Sequence, residues 1–191
     1  MIDGKELLTV GTNWKDFHQA YKIEGYPNWD SLAFKDQFGF KDALNFVRGT
    51  LRYEGFGVIM RGLHNIGLTS ELAIDHSKIK NMLDVALLLC EGFEESKNKE
   101  YFDTISDISI MQDLTIRGVV LKLLSKLENF DSKHIWKLVK SWAYFELFNS
   151  SKQISPKAWH VFDVLCDVSL EKLQYKEGER DLVIMKHIFT I

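Results

Sequence analysis

The sequence predicts an α+β fold, in which a small mixed or antiparallel sheet is formed by both ends of the chain, with an all-helical insertion between them. Residues 1–76 hold aromatic and β-branched runs broken by glycines, which is typical of short strands alternating with helices. Residues 77–154 repeat apolar side chains at helical spacing, and residues 155–191 combine a helix start with a β-rich terminal segment. We therefore expect residues 1–76 and 155–191 to form one α+β domain, with residues 77–154 as its helical insertion.

Composition and charge narrow the functional classes. The chain has 191 residues, of which 46% are apolar, and this is enough to bury a core. Its 24 lysines and arginines stand against 27 acidic residues without forming a basic stripe, so no nucleic-acid partner is expected. The longest apolar run, Val85–Cys90, is far shorter than the roughly 20 residues of a membrane-spanning helix, so no membrane partner is expected. No secretory signal is visible, and we expect a cytoplasmic protein, with the mitochondrial matrix left open.

The N-terminal part is expected to contain three strands and a short helix. The strands are predicted in "KELLTV" (residues 5–10), "QAYKIEGY" (19–26) and "NFVRGTLRY" (45–53). Between the last two, Asp30 is suited to cap a short helix that carries Phe34 and Phe38. Gly39 is suited to end this helix, because glycine readily adopts the left-handed conformation found after helix C-termini.

The middle of the chain is expected to be helical, because apolar residues recur every three or four positions. Two such stripes are Ile116, Val119, Val120, Leu123, Leu124 and Leu127, and then Ile135, Leu138, Val139, Trp142 and Phe145. The charged segment 94–100, "EESKNKE", is expected to be a solvated loop or helix end. Cys90 and Cys166 fall within helical stripes and are interpreted as small core residues. The six histidines show no zinc-like spacing, so no metal site is expected.

The C-terminal part is expected to form a long helix and a final strand. Ser155 and Pro156 predict the start of the helix, because proline is favoured at the first helical position. The buried face is predicted to carry Ala158, Val161, Phe162, Leu165 and Leu173. Gly178 is expected to end the helix, and residues 180–191, "RDLVIMKHIFTI", are apolar on both faces, which favours a central strand. This strand has no polar tail after it, which suggests a fragment of a longer protein.

Three glycines after the third predicted strand, Gly55, Gly57 and Gly62, partly match a dinucleotide-binding fingerprint. In G-x-G-x-x-G the third glycine lets the helix pack close to the strand, but Met60 occupies that position here. We interpret the glycines as a tight turn into an amphipathic core helix, and we expect no cofactor site in this chain.

The third predicted strand carries the candidate binding residues. Alternation within "RGTLRYEGF", residues 48–56, places the side chains of Arg48, Thr50 and Arg52 on one face. Two guanidinium groups about 13 Å apart along the strand, with a hydroxyl between them, suit a ligand that bears several carboxylates. The same pattern also fits arginines that pair with acidic side chains on a neighbouring strand, so periodicity alone leaves both interpretations open.

Three motifs carry a resemblance to a known family: "EGYPNWDS" (residues 24–31), "RGTLRYEGF" (48–56) and "YKEGERDLVIMKHIF" (175–189). In this order they resemble the C-terminal region of the saccharopine dehydrogenase (saccharopine reductase) family. The same region also forms the C-terminal part of bifunctional alpha-aminoadipic semialdehyde synthase.

The resemblance implies a two-part enzyme of lysine metabolism, in which an N-terminal Rossmann domain binds NAD or NADP and an α+β domain with a helical insertion binds the substrate. This oxidoreductase oxidises the secondary amine of saccharopine, with hydride transfer to the nicotinamide, and water then releases glutamate and aminoadipate semialdehyde. The family's proposed acid–base lysine and aspartate lie in the Rossmann domain, so no catalytic residue is expected in this chain. The expected partners are saccharopine or a related amino acid and the Rossmann domain of the parent protein, and a homodimer is left open.

Carried over by position, the resemblance assigns substrate contacts to Thr50, Leu51 and Arg52, and to the arginine of a "YPNRDS" motif that is Trp29 here. An indole has one N–H donor and no charge, so losing this carboxylate contact is expected to cost roughly 1.5 to 3 kcal/mol, unless Arg48 supplies the charge. Trp29 either stacks on an arginine and reshapes the pocket for another amino acid, or covers an apolar turn in a chain that has lost catalysis. Two hypotheses follow: the substrate-binding portion of a saccharopine dehydrogenase, and a non-catalytic domain for assembly or for another amino-acid-like ligand.

Overall fold

The computed structural model describes residues 6–13, 20–28, 31–127 and 130–181, and these residues form an α+β fold. The strands are β1 (Thr12–Asn13), β2 (Ile23–Pro27) and β3 (Gly49–Tyr53). The helices are α1 (Ala33–Gln37), α2 (Phe56–Ile66), α3 (Met82–Leu89), α4 (Lys99–Ile105), α5 (Leu114–Leu124), α6 (Ser132–Tyr144) and α7 (Val161–Leu173). The predicted fold class is confirmed. The predicted final strand from residue 182 onward lies outside the described residues.

The described residues fall into two compact units: a sheet unit up to Met60 and a helical unit from Arg61 to Asp181. These limits differ from the predicted boundaries after residues 76 and 154, and the predicted division into a substrate domain and an insertion stays a prediction.

The sheet unit holds three antiparallel strands in the order β1-β2-β3. The strands β2 and β3 pair along their whole length, from Ile23 opposite Tyr53 to Pro27 opposite Gly49. The second and third predicted strands are therefore confirmed, although β2 and β3 are shorter than predicted. The first predicted strand is wrong in its described part, because the backbone N–H and the hydroxyl of Thr9 both donate to the Glu6 carbonyl and close a 3-10 turn. A short apolar run alone does not distinguish a strand from a helical turn.

Tyr26 of β2 is the buried centre of the sheet unit, with 8% of its surface exposed. Two glycines allow the backbone to approach its ring. A Cβ on Gly57 would lie 2.2 Å from the Tyr26 hydroxyl oxygen, and a Cβ on Gly11 would lie 2.7 Å from the ring. Both distances are shorter than any real carbon contact, so these positions require glycine.

The helix α1 is short and ends as predicted. Phe34 lies within it, Phe38 is its C-cap, and Gly39 follows in the left-handed conformation with a φ of +77°. Leu32 occupies the N-cap position, whereas Asp30, the predicted cap, lies outside the described residues.

The helical unit has a continuous apolar core. The predicted stripes of α5 and α6 are confirmed, and their fully buried members include Val120, Leu123, Ile135, Leu138 and Trp142. The loop at residues 93–98 is largely exposed, as expected for the charged segment 94–100, and α4 starts at Lys99. Cys90 is buried as predicted, whereas Cys166 is exposed on α7 and its prediction is wrong.

The predicted start of the last helix is also wrong, since α7 begins at Val161. Ser155 and Pro156 instead open a turn closed by hydrogen bonds from Lys157 to the Ser155 hydroxyl and from Ala158 to the Ser155 carbonyl. The buried face of α7 is Val161, Val164, Leu165 and Val168, while Phe162 and Leu173 are exposed.

The residues directly before α7 are extended because they pair with an earlier segment of the chain. The Ile74 N–H donates to the Trp159 carbonyl, and Ala73 forms an isolated bridge with His160. The helix is then capped by Asp163, whose carboxylate accepts the backbone N–H groups of Trp159 and His160. Long-range pairing has therefore overridden the local Ser-Pro signal.

In the described part of the chain, no helix combines the length and the apolar character that crossing a membrane requires.

Candidate functional site

The register of β2 and β3 brings the candidate residues of β3 against polar residues of β2. Arg52 lies opposite Glu24, and Thr50 lies opposite Tyr26. Side chains directly opposite each other in an antiparallel pair point to the same face of the sheet. One face therefore carries two guanidinium groups, a hydroxyl, a carboxylate and a phenol. We call it the polar face, and it comprises Glu24, Tyr26, Arg48, Thr50 and Arg52.

Arg48 directly precedes β3 and continues its pairing, because its carbonyl accepts the backbone N–H of Asn28 at 2.8 Å. Its guanidinium carbon lies 3.9 Å from the centre of the Phe34 ring. The guanidinium carbon of Arg52 lies 5.2 Å from the centre of the Phe56 ring. Both arginines are thus supported by an aromatic face through a cation–π interaction, which leaves N–H groups at the edge of each guanidinium for a ligand.

Neither arginine pairs with an acid among the described residues. Arg52 is exposed, and one of its terminal N–H groups donates to the carbonyl of Leu51 at 3.0 Å. The interpretation that Arg48 and Arg52 only neutralise acids of a neighbouring strand is therefore not supported by the ion pairs of the described chain. The two positive charges remain available for an anionic ligand.

Two further predicted site residues are Leu51 and Trp29. Leu51 lies opposite Gly25 of β2, and its side chain is 40% exposed. By strand alternation this side chain points away from the polar face, so Leu51 reaches a ligand there only through its backbone. Trp29 lies outside the described residues; the residue before it, Asn28, donates the backbone hydrogen bond to Arg48.

Glu24 and Tyr26 belong to the polar face, although neither was among the site residues predicted from the sequence. The Tyr26 hydroxyl donates to Glu24 Oε1 at 2.6 Å, and the Gly57 N–H donates to the same oxygen at 3.0 Å. The signal that could have found them is their spacing, since Glu24 and Tyr26 are two residues apart in a strand and share one face. Pairing that strand antiparallel with the Arg-Thr-Arg strand would have placed all five side chains together.

Hydrogen bonding sets the charge of Glu24. Partial burial by itself raises its pKa, because a carboxylate loses hydration inside protein. The hydrogen bond from Tyr26 and those from the backbone of residues 55–57 stabilise the carboxylate and outweigh burial. The pKa of Glu24 therefore lies below its usual value, and the side chain is negatively charged at neutral pH.

The glycines that partly match a dinucleotide fingerprint form a tight turn, as interpreted from the sequence. Gly55 has a φ of +98°, and α2 starts at the next residue. The Gly57 N–H, which such a fingerprint would offer to a phosphate, is already bonded to Glu24 and to the Tyr26 hydroxyl. Among the described residues, no group of three or more His, Cys, Asp or Glu side chains has the arrangement of a metal site.

The helical unit contains a surface cavity of about 330 Å³ beside α7, whose lining includes Lys152, Asp167 and Glu171. Lys152 forms ion pairs with Glu146 and with Glu171, and Glu146 also pairs with Lys172 at 3.4 Å. These charges neutralise one another within the protein. The polar face of the sheet unit is for this reason the stronger candidate for binding an anion.

Comparisons with known proteins agree with the motifs found in the sequence. The chain is 27% identical, over its whole length, to saccharopine dehydrogenase [NADP(+), L-glutamate-forming] of Schizosaccharomyces pombe, and 30% identical over 91% of its length to the protein of that name in Saccharomyces cerevisiae. It is also 27% identical, over 97% of its length, to alpha-aminoadipic semialdehyde synthase of Arabidopsis thaliana. The chain spans 38%, 34% and 16% of the length of these three relatives.

A solved structure establishes the similarity of fold. Apo histidine-tagged saccharopine dehydrogenase (L-Glu forming) from Saccharomyces cerevisiae matches 90% of this chain and 34% of its own, with a TM-score of 0.69 and 24% sequence identity. The family model of the saccharopine dehydrogenase C-terminal domain matches residues 1–191. The resemblance predicted from the motifs is confirmed, and the chain belongs to the saccharopine dehydrogenase C-terminal domain family.

Proposed function

We propose that this chain is the substrate-binding portion of a saccharopine dehydrogenase, and that it binds saccharopine through its polar face without catalysing the reaction alone. The observation that carries the proposal is the state of Arg48 and Arg52. Both guanidinium groups rest on aromatic rings, and neither pairs with a carboxylate of the described residues. Two unneutralised arginines, one within β3 and one directly before it, are suited to a substrate with several negative charges.

The chemistry of saccharopine matches this arrangement. Saccharopine carries three carboxylates, and the planar fork of a guanidinium binds a carboxylate through two parallel hydrogen bonds. In the proposed complex Arg52 binds one carboxylate and Arg48 a second, while the half-buried hydroxyl of Thr50, between them, donates or accepts a further hydrogen bond. The Leu51 backbone completes the contact.

The rest of the reaction is assigned to the parent protein. An N-terminal Rossmann domain would bind NAD or NADP and supply the acid–base groups, and the bound nicotinamide would be the acceptor for the hydride from the CH–NH bond. The names of the fungal relatives specify NADP(+), which favours that cofactor. We further propose a cytoplasmic location, with the mitochondrial matrix as the alternative, and leave open whether the protein forms a homodimer.

The proposal is tested by replacing Arg52 with glutamine in the full-length protein and titrating it with saccharopine by isothermal calorimetry. Losing one charge-assisted pair is expected to weaken binding by about one to two powers of ten. Arg48→Gln is expected to have a similar effect. The matched control is Arg117→Gln, which removes a guanidinium from α5 in the helical unit and should leave the affinity unchanged. Wild-type affinity in both strand variants would contradict the proposal.

A second candidate function is a non-catalytic domain that serves assembly or binds another amino-acid-like ligand. The observation that favours it is Trp29, which replaces the arginine of the family motif. The two candidates differ in turnover: full-length protein with verified folding and bound cofactor that leaves millimolar saccharopine unoxidised would support the second.

A further inference from the structure

Glu24 and Arg52 are opposite charges at opposite positions of neighbouring strands, and this is the arrangement from which ion pairs usually form. Their Cα atoms are register partners in the β2–β3 ladder. Side chains so placed have Cβ atoms roughly 4.5 to 5.5 Å apart on the same face, within reach of each other. Yet among the ion pairs of the described residues, none joins Glu24 to Arg52.

Each of the two side chains is held by partners of its own. Glu24 Oε1 accepts the Tyr26 hydroxyl at 2.6 Å and the Gly57 N–H at 3.0 Å. Arg52 lies over the Phe56 ring and donates to the carbonyl of its neighbour Leu51. A carboxylate and a guanidinium are thus fixed side by side on one face without neutralising each other.

We propose that Glu24 Oε2 receives the ammonium group of an α-amino acid whose carboxylate binds Arg52, so that the polar face recognises both charges of the zwitterion. This inference rests on the proposed function, and it names the feature of the ligand that the arginines alone do not select. The ammonium and the carboxylate of an α-amino acid are attached to the same carbon, and this short separation matches side chains that are register partners.

The state of Glu24 supports this role. The hydrogen bonds of 2.6 Å and 3.0 Å that Glu24 accepts both end on Oε1, which fixes the orientation of the carboxylate and leaves Oε2 as the oxygen assigned to the ammonium group. The hydrogen bonds that hold Oε1 also keep the side chain ionised at neutral pH, because they lower its pKa in spite of partial burial. A carboxylate that is already oriented and charged loses little entropy when it binds a cation.

The selectivity that follows is for amino acids over simple dicarboxylates. Arg48 and Arg52 attract any dicarboxylate of suitable length, with or without an amino group. Glu24 repels a ligand that brings only negative charge and attracts one that also carries an ammonium group. Glu24 is therefore the specificity-determining residue of the site, and Tyr26 is a positioning residue that acts through it.

The test compares two probes that differ only in the ammonium group, L-glutamate and glutarate, in the full-length protein by isothermal calorimetry. Glu24→Gln keeps an oxygen that accepts from Gly57 and removes the charge. We expect it to weaken L-glutamate binding by about tenfold or more, and to leave glutarate binding unchanged or slightly stronger. The matched control is Glu54→Gln just after β3, whose carboxylate pairs with exposed Lys22 at 3.8 Å; this variant should bind both probes as the wild type does.

The outcomes separate this inference from the function on which it rests. If Arg52→Gln weakens both probes while Glu24→Gln changes neither, the carboxylate subsite exists and the ammonium subsite does not. An equal loss of both probes in Glu24→Gln would mean that Glu24 only holds the structure of the polar face, which also overturns the inference. If the wild type binds saccharopine but does not prefer L-glutamate to glutarate, the inference is overturned while the proposed function stands. If Arg52→Gln and Arg48→Gln also leave saccharopine binding at the wild-type level, the proposed function itself fails.

Discussion

The two units of the chain differ in how many apolar side chains they bury and in whether their charged side chains form ion pairs. The helical unit buries a Trp, several Ile and Leu residues and most of its valines, and the charges around Lys152 pair with one another. Among the described residues of the sheet unit, Tyr26 is the one large side chain that is buried, and Arg48 and Arg52 have no acidic partner. The helical unit therefore has the larger apolar core, whereas the sheet unit carries two arginines that the described residues do not neutralise.

The two units therefore differ in the source of their stability. Apolar burial is the main source of folding free energy, so a unit with many buried side chains tolerates surface change. The sheet unit depends instead on a few close contacts around Tyr26 and on hydrogen bonds to Glu24. Under the proposed function, binding of an anionic ligand should stabilise this unit further.

The largest effect is expected from Trp142→Ala in the helical unit. Trp142 has no exposed surface, so truncation leaves a cavity and should lower the free energy of unfolding by about 3 to 5 kcal/mol. Urea unfolding followed by circular dichroism measures this loss. Trp159→Ala is the matched control, because Trp159 is 73% exposed, and its truncation should change stability by no more than about 0.5 kcal/mol. Similar losses in the two variants would contradict the contrast in burial.

A smaller effect is expected from Gly57→Ala in the sheet unit. The added Cβ would lie 2.2 Å from the Tyr26 hydroxyl and 2.8 Å from the Leu8 carbonyl, so the backbone must shift, at a cost of about 1 to 3 kcal/mol. Hydrogen exchange of the amides in β2 and β3 should report the loss, with little change in α5 and α6.

The control for this variant is Gly118→Ala within α5. The nearest atom to its added Cβ is Oε1 of exposed Glu95, at 3.1 Å, and this flexible side chain can move aside. Because alanine favours a helix more than glycine does, the variant should gain about 0.5 to 1 kcal/mol. A loss in Gly118→Ala as large as that in Gly57→Ala would mean that glycine replacement itself, rather than contact with Tyr26, causes the damage.

The same contrast explains what the sequence could predict. The helices α5 and α6 were predictable because their burial repeats with the helical period, so local pattern and tertiary packing agree. The strand β3 and its Arg-Thr face were predictable from alternation and from the family motif. The start of α7 was not, because pairing of Ile74 with Trp159 holds an apparent helix start extended. The position of Glu24 opposite Arg52 depends on strand register, which no single strand encodes.

The smallest effect concerns the charge of Glu24 and reports on the contacts of the sheet unit alone. The pKa of Glu24 in the folded protein lies below its usual value, so ionised Glu24 stabilises the folded state at neutral pH. This contribution is lost as the pH falls through the folded pKa, because protonation weakens the bonds from Tyr26 and Gly57.

The amide proton of Gly57 donates to Glu24 Oε1, and its NMR chemical shift should therefore follow this protonation, with a midpoint below that of an ordinary glutamate. The step should vanish in Glu24→Gln. A wild-type midpoint at or above the ordinary value would mean that burial outweighs the hydrogen bonds. Glu24 would then be partly neutral in mild acid, and the negative charge on which the proposed ammonium site depends would be reduced there.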